Sequence, residues 1–333
     1  MNYKESRLIL EEIKKAKRIL LSCHRNPDPD SIGSALALKD VLESMDRTVD
    51  VICPSKKLDQ NVTFLKGFSD IKKDVDFGKF NFSKYDLFVV TDSASWDMAS
   101  SNKSMSMPQI PIVVIDHHHT NERYGRINLV DASASSVGEM LFRIIKDWKF
   151  SVNKDTAIAI LTGIIGDTGV FKYPNTSKRT FQIASDLIKN GADKEVIIRN
   201  IYMNYDFDLI KFWAEALSRL EIDAKYRFVY SAIPFETYEE LGKPENAKES
   251  ACDLFAQTIK GTDFGFMAVE TEKNKLSVSL RSRLDFDSSV IATELGGGGH
   301  KAASGAKIEG LPFDKAIKKV LQVARKYAKK AKR

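Results

Sequence analysis

The five histidines of this 333-residue chain all lie in short runs that are rich in aspartate or glycine. Neutral imidazole and carboxylate groups suit manganese, iron and zinc as ligands. A chain that uses histidine almost nowhere else is expected to reserve it for the chemistry of metals and phosphates.

The first run places His24, Asp28 and Asp30 between a short apolar segment and a segment with helical spacing. Open α/β sheets place their sites in loops at the carboxyl ends of strands. We expect Asp28 and Asp30 to alternate along an extended loop, stiffened by Pro27 and Pro29, so that each faces a different ion. The alternative is a simple turn, because Asn-Pro-Asp sequences are common in turns.

Two further groups also follow apolar, strand-like segments. Asp92 directly follows one of these segments, although aspartate at such a position is often a helix cap. Asp116, His117, His118 and His119 end another, and three adjacent imidazoles are hard to explain by packing. Since successive strand residues point to opposite faces, they cannot all share one role. An exposed polar loop is the alternative here.

Asp167 follows a predicted buried helix at residues 156–166. A carboxylate at the C-terminus of a helix opposes the helix dipole, and a cation would remove that conflict. Four segments distant in sequence thus offer aspartate or histidine. Six such ligands suit two divalent ions about 3.5–4 Å apart and bridged by one carboxylate, a known arrangement for phosphoryl transfer.

A different chemistry is indicated by Gly296–Gly299, which precede His300 and Lys301. Glycines let backbone N–H groups approach an anion closely. Upstream, Arg281 and Arg283 end a predicted strand, and guanidinium groups suit bidentate contacts with phosphate. A flexible loop is the alternative, but the pattern favours binding of a phosphate or a nucleotide.

The elements that must position these residues alternate between strand and helix as far as residue 190, which predicts an α/β domain with a mainly parallel sheet flanked by helices. The alternation of strand and helix changes after residue 190. We expect a catalytic domain at 1–190, a helical connector at 191–220, and a smaller substrate-binding α/β domain with a mixed sheet at 221–333. Predicted strands are 18–23, 49–53, 86–91, 110–115, 228–233, 264–270 and 275–280, and predicted helices are 31–45, 136–148 and 156–166.

The net charge of +6 comes from the end of the chain. Residues 315–333 contain nine basic and no acidic residues, so the rest of the chain is mildly acidic. This segment has the spacing of an amphipathic helix, whose basic face either steers nucleic acid or is simply solvated.

The three cysteines form no Cys-x-x-Cys pair, and no membrane span or signal peptide is recognisable, so we expect a cytoplasmic protein with reduced thiols.

Taken in order, these segments resemble the motifs of the DHH phosphoesterases, which include the RecJ exonucleases, the family II pyrophosphatases and the small nanoRNase-type enzymes. Any one motif is weak, but five in the same order are specific. The Pro29 position, where relatives often carry glycine, is a departure that changes no proposed ligand. The matching segments are 24–34, 89–92, 116–118, 166–169 with Asn175 and Thr176, and 297–300.

The resemblance implies two Mn²⁺ ions and a role for each site residue. His118 would contact the scissile phosphate or assist the leaving group, and Asp116 would orient a histidine. The non-scissile part of the substrate would be bound by Arg281, Arg283, Gly297, Gly298, Gly299 and His300. One ion would take His24, Asp28 and Asp92; the other would take Asp30, Asp92, His117 and Asp167, with Asp92 as the bridge.

The resemblance also implies an activity. The stand-alone two-domain members, whose size and lack of membrane segments this chain shares, cleave short oligoribonucleotides, linear dinucleotides such as pApA, and 3′-phosphoadenosine 5′-phosphate. We therefore expect a Mn²⁺-dependent phosphodiesterase that releases nucleoside monophosphates. Cyclic-di-AMP hydrolysis, a single-strand exonuclease and a non-catalytic nucleotide sensor are the alternatives. No obligate protein partner is indicated, and a homodimer is left open.

Overall fold

The computed structural model describes residues 2–102, 104–283 and 285–331. Their contacts divide the chain into two compact units, one ending at Asn204 and one beginning at Tyr205. This division falls inside the segment 191–220 that we interpreted as a connector. The helix Lys194–Tyr202 belongs to the first unit and the helix Phe207–Ser218 to the second. The three-part division remains a prediction.

The first unit is built on a sheet of five strands in the order β2-β1-β3-β4-β5, and every neighbouring pair is parallel. The predicted α/β class with a parallel sheet is confirmed. The strands are β1 Arg18–Ser22, β2 Thr48–Ile52, β3 Leu87–Thr91, β4 Ile112–Asp116 and β5 Ile127–Val130. The helices are α1 Glu5–Lys15, α2 Pro29–Glu43, α3 Trp96–Ser100, α4 Val137–Asp147, α5 Lys154–Asp167, α6 Lys178–Lys189 and α7 Lys194–Tyr202.

The central strands are apolar because both faces of the sheet are covered. All residues of β3 and β4 are buried, as expected for parallel strands between two layers. One face packs on a core that includes residues of α1, α2, α4 and α5, and the other packs on a cluster rich in aromatic rings. Since parallel strands run in the same direction, the loops after β1, β3 and β4 open at one edge, and the strand order reverses between β1 and β3.

Helix α2 begins earlier than predicted, and this corrects the expected extended loop. Asp28 is the N-cap residue, Pro29 starts the helix, and Asp30 lies in its first turn. Proline at the first helical position loses no hydrogen bond, because the N–H there has no partner inside the helix. Pro29 therefore marks the start of a helix, with Asp28 before it and Asp30 in the first turn.

Helices α2 and α5 approach each other backbone to backbone. A Cβ atom placed on Gly163 would lie 2.2 Å from Oδ1 of Asp30, and one placed on Gly33 would lie 2.5 Å from the carbonyl oxygen of Ala159. Both contacts are too short for any side chain larger than hydrogen. The two glycines thus allow Asp30, on α2, to lie against α5, which ends at Asp167.

The second unit has a six-stranded sheet in the order β10-β11-β9-β8-β7-β6, in which β7 and β8 are parallel and the other pairs antiparallel. The predicted mixed sheet is confirmed. Its strands are β6 Glu221–Asp223, β7 Phe228–Ile233, β8 Phe264–Glu272, β9 Lys275–Ser282, β10 Gly298–Gly299 and β11 Ala303–Glu309. Its helices are α8 Phe207–Ser218, α9 Phe235–Glu240, α10 Ala247–Phe255, α11 Ser289–Glu294 and α12 Phe313–Ala331.

The basic segment at the end of the chain forms α12, as its spacing predicted. Two of its basic side chains form ion pairs within the second unit: Arg325 lies 2.9 Å from Asp223, and Lys326 lies 2.6 Å from Glu294. Lys332 and Arg333 lie outside the described residues, and a role in binding nucleic acid stays a prediction. None of the helices that the structure describes is both long and apolar enough to cross a membrane.

Candidate metal centre

Three side chains from the loops after β1 and β3 converge at the edge of the sheet. Nε2 of His24 lies 3.4 Å from Oδ2 of Asp92 and 3.8 Å from Oδ2 of Asp28. The other oxygen of Asp28 caps α2 by accepting the N–H of Ser31 at 2.9 Å. These three groups offer ligand atoms within 4.8 Å of one another, as a bound cation requires.

A second group forms where α2, α5 and the loop after β4 meet. Nε2 of His117 lies 3.1 Å from Oδ2 of Asp167 and 3.5 Å from Oδ1 of Asp92. Asp30 is fully buried, and its carboxylate accepts the N–H groups of Val137 at 2.6 Å and Gly138 at 3.0 Å. Asp30, His117 and Asp167 again offer ligand atoms within 4.8 Å of one another.

The ring orientation of both histidines suits ligand chemistry. Nδ1 of His24 is 2.8 Å from the carbonyl oxygen of Arg25, and Nδ1 of His117 is 3.4 Å from that of Ala134. A carbonyl oxygen can only accept, so Nδ1 carries the hydrogen in each ring. Nε2 of each ring therefore faces the carboxylates and can bind a cation once it gives up its proton, as in metal-binding histidines.

Asp92 joins the two groups. It has a left-handed backbone (φ 56°) and an exposed fraction of only 2%. Oδ2 faces His24 and Oδ1 faces His117, and Oδ1 is buried without a hydrogen bond among the described residues. A buried carboxylate oxygen without a donor is costly, and a shared cation would satisfy it. This atom is the strongest sign that the residues fit a metal.

The ionisation of these groups shows how strongly negative charge is concentrated here. Burial and the nearby carboxylates raise the pKa of Asp167 to about 6, although the contact with His117 opposes this. Burial alone would lower the pKa of His24, but Asp28 and Asp92 outweigh it and raise that pKa to about 11. Protons and divalent cations therefore compete for the same atoms, and cation affinity is expected to fall as the pH is lowered.

His118 occupies a different position from His117. It is the more exposed of the two, and its Nδ1 lies 2.8 Å from Oδ1 of the buried Asp116. Asn121, which the sequence did not single out, donates to Oδ2 of Asp116 at 2.6 Å. The hydrogen bond to Asp116 raises the pKa of His118. The Asp116 carboxylate thus favours a proton on a ring that is exposed.

The structure thus brings His24, Asp28, Asp30, Asp92, His117 and Asp167 together, with His118 and Asp116 beside them; their roles remain predictions. His119 is exposed and belongs to neither of the two groups. Ser136 and Glu139 have the spacing of a capping box at the start of α4, but only half of the box is formed. Ser136 accepts the N–H of Glu139, but the Glu139 side chain binds other groups instead.

The glycine-rich run lies at a pocket of about 540 Å³ within the second unit. Arg281 lines this pocket, but its guanidinium is also bound by Asp253, with Nε 2.5 Å from Oδ1. The pocket further offers Lys248, Ser277 and Lys307, which sequence reasoning missed because they belong to no motif. Arg283 and His300 are not among the lining residues, and Arg283 donates to the carbonyl of Thr262. The lining residues from the predicted set are Arg281, Gly297, Gly298 and Gly299.

These glycines also have a packing role. A Cβ atom on Gly297 would lie 2.1 Å from the carbonyl oxygen of Gly305, whereas one on Gly298 would meet nothing within 4 Å. We expect Gly297→Ala to destabilise the second unit by about 1–3 kcal/mol through overpacking. Gly298→Ala, the matched control, should leave the denaturation midpoint unchanged. Equal midpoints for both variants would show that β10 does not require glycine at residue 297.

Known protein families match both units of the chain. The model of the DHH family, N-terminal domain, matches residues 18–164, and that of the DHHA1 domain matches residues 226–330. The chain is 26% identical over 327 residues to the bifunctional oligoribonuclease and PAP phosphatase NrnA of Thermus thermophilus, covering 97% of this chain and 94% of the relative. It is 27% identical to the cyclic-di-AMP phosphodiesterase PdeA of Listeria monocytogenes, covering 97% of this chain but 50% of the relative.

A solved structure is similar over its whole length. The crystal structure of an exopolyphosphatase-related protein from Bacteroides fragilis has a TM-score of 0.89 at 26% identity, covering 99% of this chain and 98% of that one. The order of the motifs, the two domain matches and the parallel sheet all indicate the same family. The chain belongs to the DHH family of phosphoesterases, with a DHH N-terminal domain followed by a DHHA1 domain.

Proposed function

We propose that this protein is a Mn²⁺-dependent phosphodiesterase that hydrolyses short oligoribonucleotides and linear dinucleotides such as pApA to nucleoside monophosphates, with 3′-phosphoadenosine 5′-phosphate as a further substrate. The observation that carries the proposal is the position of Asp92, whose two oxygens face two separate groups of candidate ligands. A single carboxylate with this placement suits a dinuclear centre.

In this proposal His24, Asp28 and Asp92 hold one ion, and Asp30, Asp92, His117 and Asp167 hold the other. Bound ions of this kind lower the pKa of water and offset the charge on phosphate oxygens. The donor set of imidazole nitrogens and carboxylate oxygens suits Mn²⁺. The protein contributes fixed ligand positions, because Asp30 is held by backbone N–H groups and both histidines by carbonyl oxygens.

His118 is assigned the proton transfer. Its Nδ1–H is bound to Asp116, which Asn121 holds in turn. The hydrogen bond to Asp116 raises the pKa of His118 and so favours the protonated ring, and the exposed ring can deliver its Nε2 proton to the leaving oxygen. Asp116 and Asn121 act by orienting the imidazole and do not touch the substrate.

The substrate class rests on the relatives. The NrnA relative matches this chain over nearly the full length of both proteins, whereas the chain spans half of the PdeA relative. The pocket lined by Arg281 and the glycine run is proposed to bind the nucleotide that does not carry the scissile phosphate.

The three cysteines are free and buried, in keeping with a proposed cytoplasmic location.

The test compares Mn²⁺-dependent turnover of pApA, RNA of two to five nucleotides, 3′-phosphoadenosine 5′-phosphate, cyclic-di-AMP and a long single strand. We expect the highest kcat/KM with the short linear substrates. A preference for cyclic-di-AMP would replace the substrate assignment and leave the metal chemistry intact. No turnover of any substrate by protein with two bound ions would favour a nucleotide sensor.

A further inference from the structure

Hydrogen bonds around the start of α4 connect the candidate ligands Asp30 and His117. The N–H groups of Val137 and Gly138 bind the Asp30 carboxylate, and the carbonyl of Ala134 accepts from Nδ1 of His117. Residues 133–138, which we call the α4 entry segment, therefore orient two ligands from different elements. A shift of this segment would move both.

The α4 entry segment is held by an ion pair whose carboxylate is buried. Glu139 is completely buried, and its Oε1 accepts Nε of Arg179 at 2.6 Å. Its Oε2 accepts the hydroxyls of Ser135 at 2.9 Å and Thr180 at 2.8 Å. Arg179 also donates to the carbonyl of Ser133 at 3.0 Å. A buried carboxylate with this many donors has one favourable position, so α6 fixes where α4 begins.

Asn175 connects the same segment to a third ligand. After Asp167 the chain turns back through Gly169, Val170 and Phe171, whose φ angles of 54°, 59° and 63° are all left-handed. Such a backbone is rare for a β-branched residue such as valine and indicates a tightly determined turn. The turn brings Nδ2 of Asn175 within 3.1 Å of the Asp167 carbonyl oxygen and 3.0 Å of the Ser135 carbonyl oxygen.

We propose that Asn175 and the Glu139–Arg179 pair are positioning residues for one ion of the pair, the ion assigned to Asp30, His117 and Asp167. This inference rests on the dinuclear centre of the proposed function. The other group has different supports, because His24 donates its backbone N–H to the Ser31 hydroxyl and Asp28 accepts the N–H of Ser31. The two ions should therefore respond differently when the α4 entry segment is loosened.

The test is Mn²⁺ binding to the full chain carrying Asn175→Ala. Asn175 is exposed, so the change should not unfold the protein. Loss of a residue that orients ligands typically costs about 10–100-fold in metal affinity. We expect calorimetric titration to show this loss for one ion and an unchanged affinity for the other. Electron paramagnetic resonance at limiting Mn²⁺ should change from a spin-coupled pair to an isolated ion.

Two further variants make the result decisive. Asn200→Ala, the control, removes an amide that donates to the Val196 carbonyl at 2.8 Å on α7, and it should bind both ions as the wild type does. Arg179→Gln should reproduce the selective loss. Wild-type affinities for both ions in Asn175→Ala and Arg179→Gln, or an equal loss of both, would overturn the inference. A wild-type protein that binds only one ion would instead refute the dinuclear centre itself.

Discussion

Replacing Asp92 by asparagine is expected to lower kcat by about a thousandfold or more, because a difference of roughly 4 kcal/mol in transition-state stabilisation corresponds to this factor. An amide keeps one ligand oxygen and loses the other, so the two groups are no longer bridged. Asparagine adopts left-handed backbone more readily than alanine does, and the φ of 56° at this residue makes it the gentler substitution. Turnover and bound Mn²⁺ should be measured on the same preparation.

The matched control is Asp86→Asn. Asp86 lies just before β3 and Asp92 just after it, and Asp86 accepts the N–H groups of Lys17 and Arg18 at 2.8 Å. An amide oxygen can still accept those bonds, so activity should stay within about twofold of the wild type if the change is within the usual range for surface substitutions. Full activity of Asp92→Asn with two bound ions would refute the bridging role.

Gly163→Ala is the second substitution with a large expected effect. The added methyl group would lie 2.2 Å from Oδ1 of Asp30 and 3.1 Å from its Cα, so either the carboxylate or the whole of α2 must move. A displacement of about 1 Å at a reacting centre can cost about a hundredfold in rate. Overpacking should also lower the free energy of unfolding by about 1–3 kcal/mol.

The measurement pairs chemical denaturation with Mn²⁺ titration. Gly78→Ala is the control, because its Cβ would meet only the flexible carboxylate of Asp76 at 3.2 Å, in an exposed turn. We expect Gly163→Ala to lose affinity for the ion assigned to Asp30 and Gly78→Ala to lose none. If Gly163→Ala kept both ions and full stability, the close contact of α2 and α5 would have no functional importance.

The interpretation of the sequence was most successful where local chemistry carries the information. Buried parallel strands appear as apolar runs, and ligand residues appear as polar exceptions directly after them. His24, Asp92 and His117 were therefore identified from their positions after β1, β3 and β4. The start of α2 was placed too late, because Asp-Pro-Asp is compatible with both a turn and a helix start, and only the capping bond from Ser31 to Asp28 distinguishes them.

Contacts between distant segments were not predictable in the same way. Glu139 matched a local capping pattern, yet its partners Arg179 and Thr180 are 40 or more residues away. Gly163 looked like an ordinary small residue in an apolar helix, and its importance comes from Asp30 on another helix. Residues 303–309 were not among the predicted strands, and they form β11.

The amino-acid sequence by itself determined the family, the α/β class and the set of candidate ligands, because residue type and spacing along the chain are enough to specify motifs. The tertiary structure decided which oxygen of Asp92 faces which histidine, which backbone groups hold Asp30, and that Arg283 and His300 lie outside the lining of the glycine-run pocket. These features depend on how strands and helices pack across long sequence separations, and no local pattern records that packing.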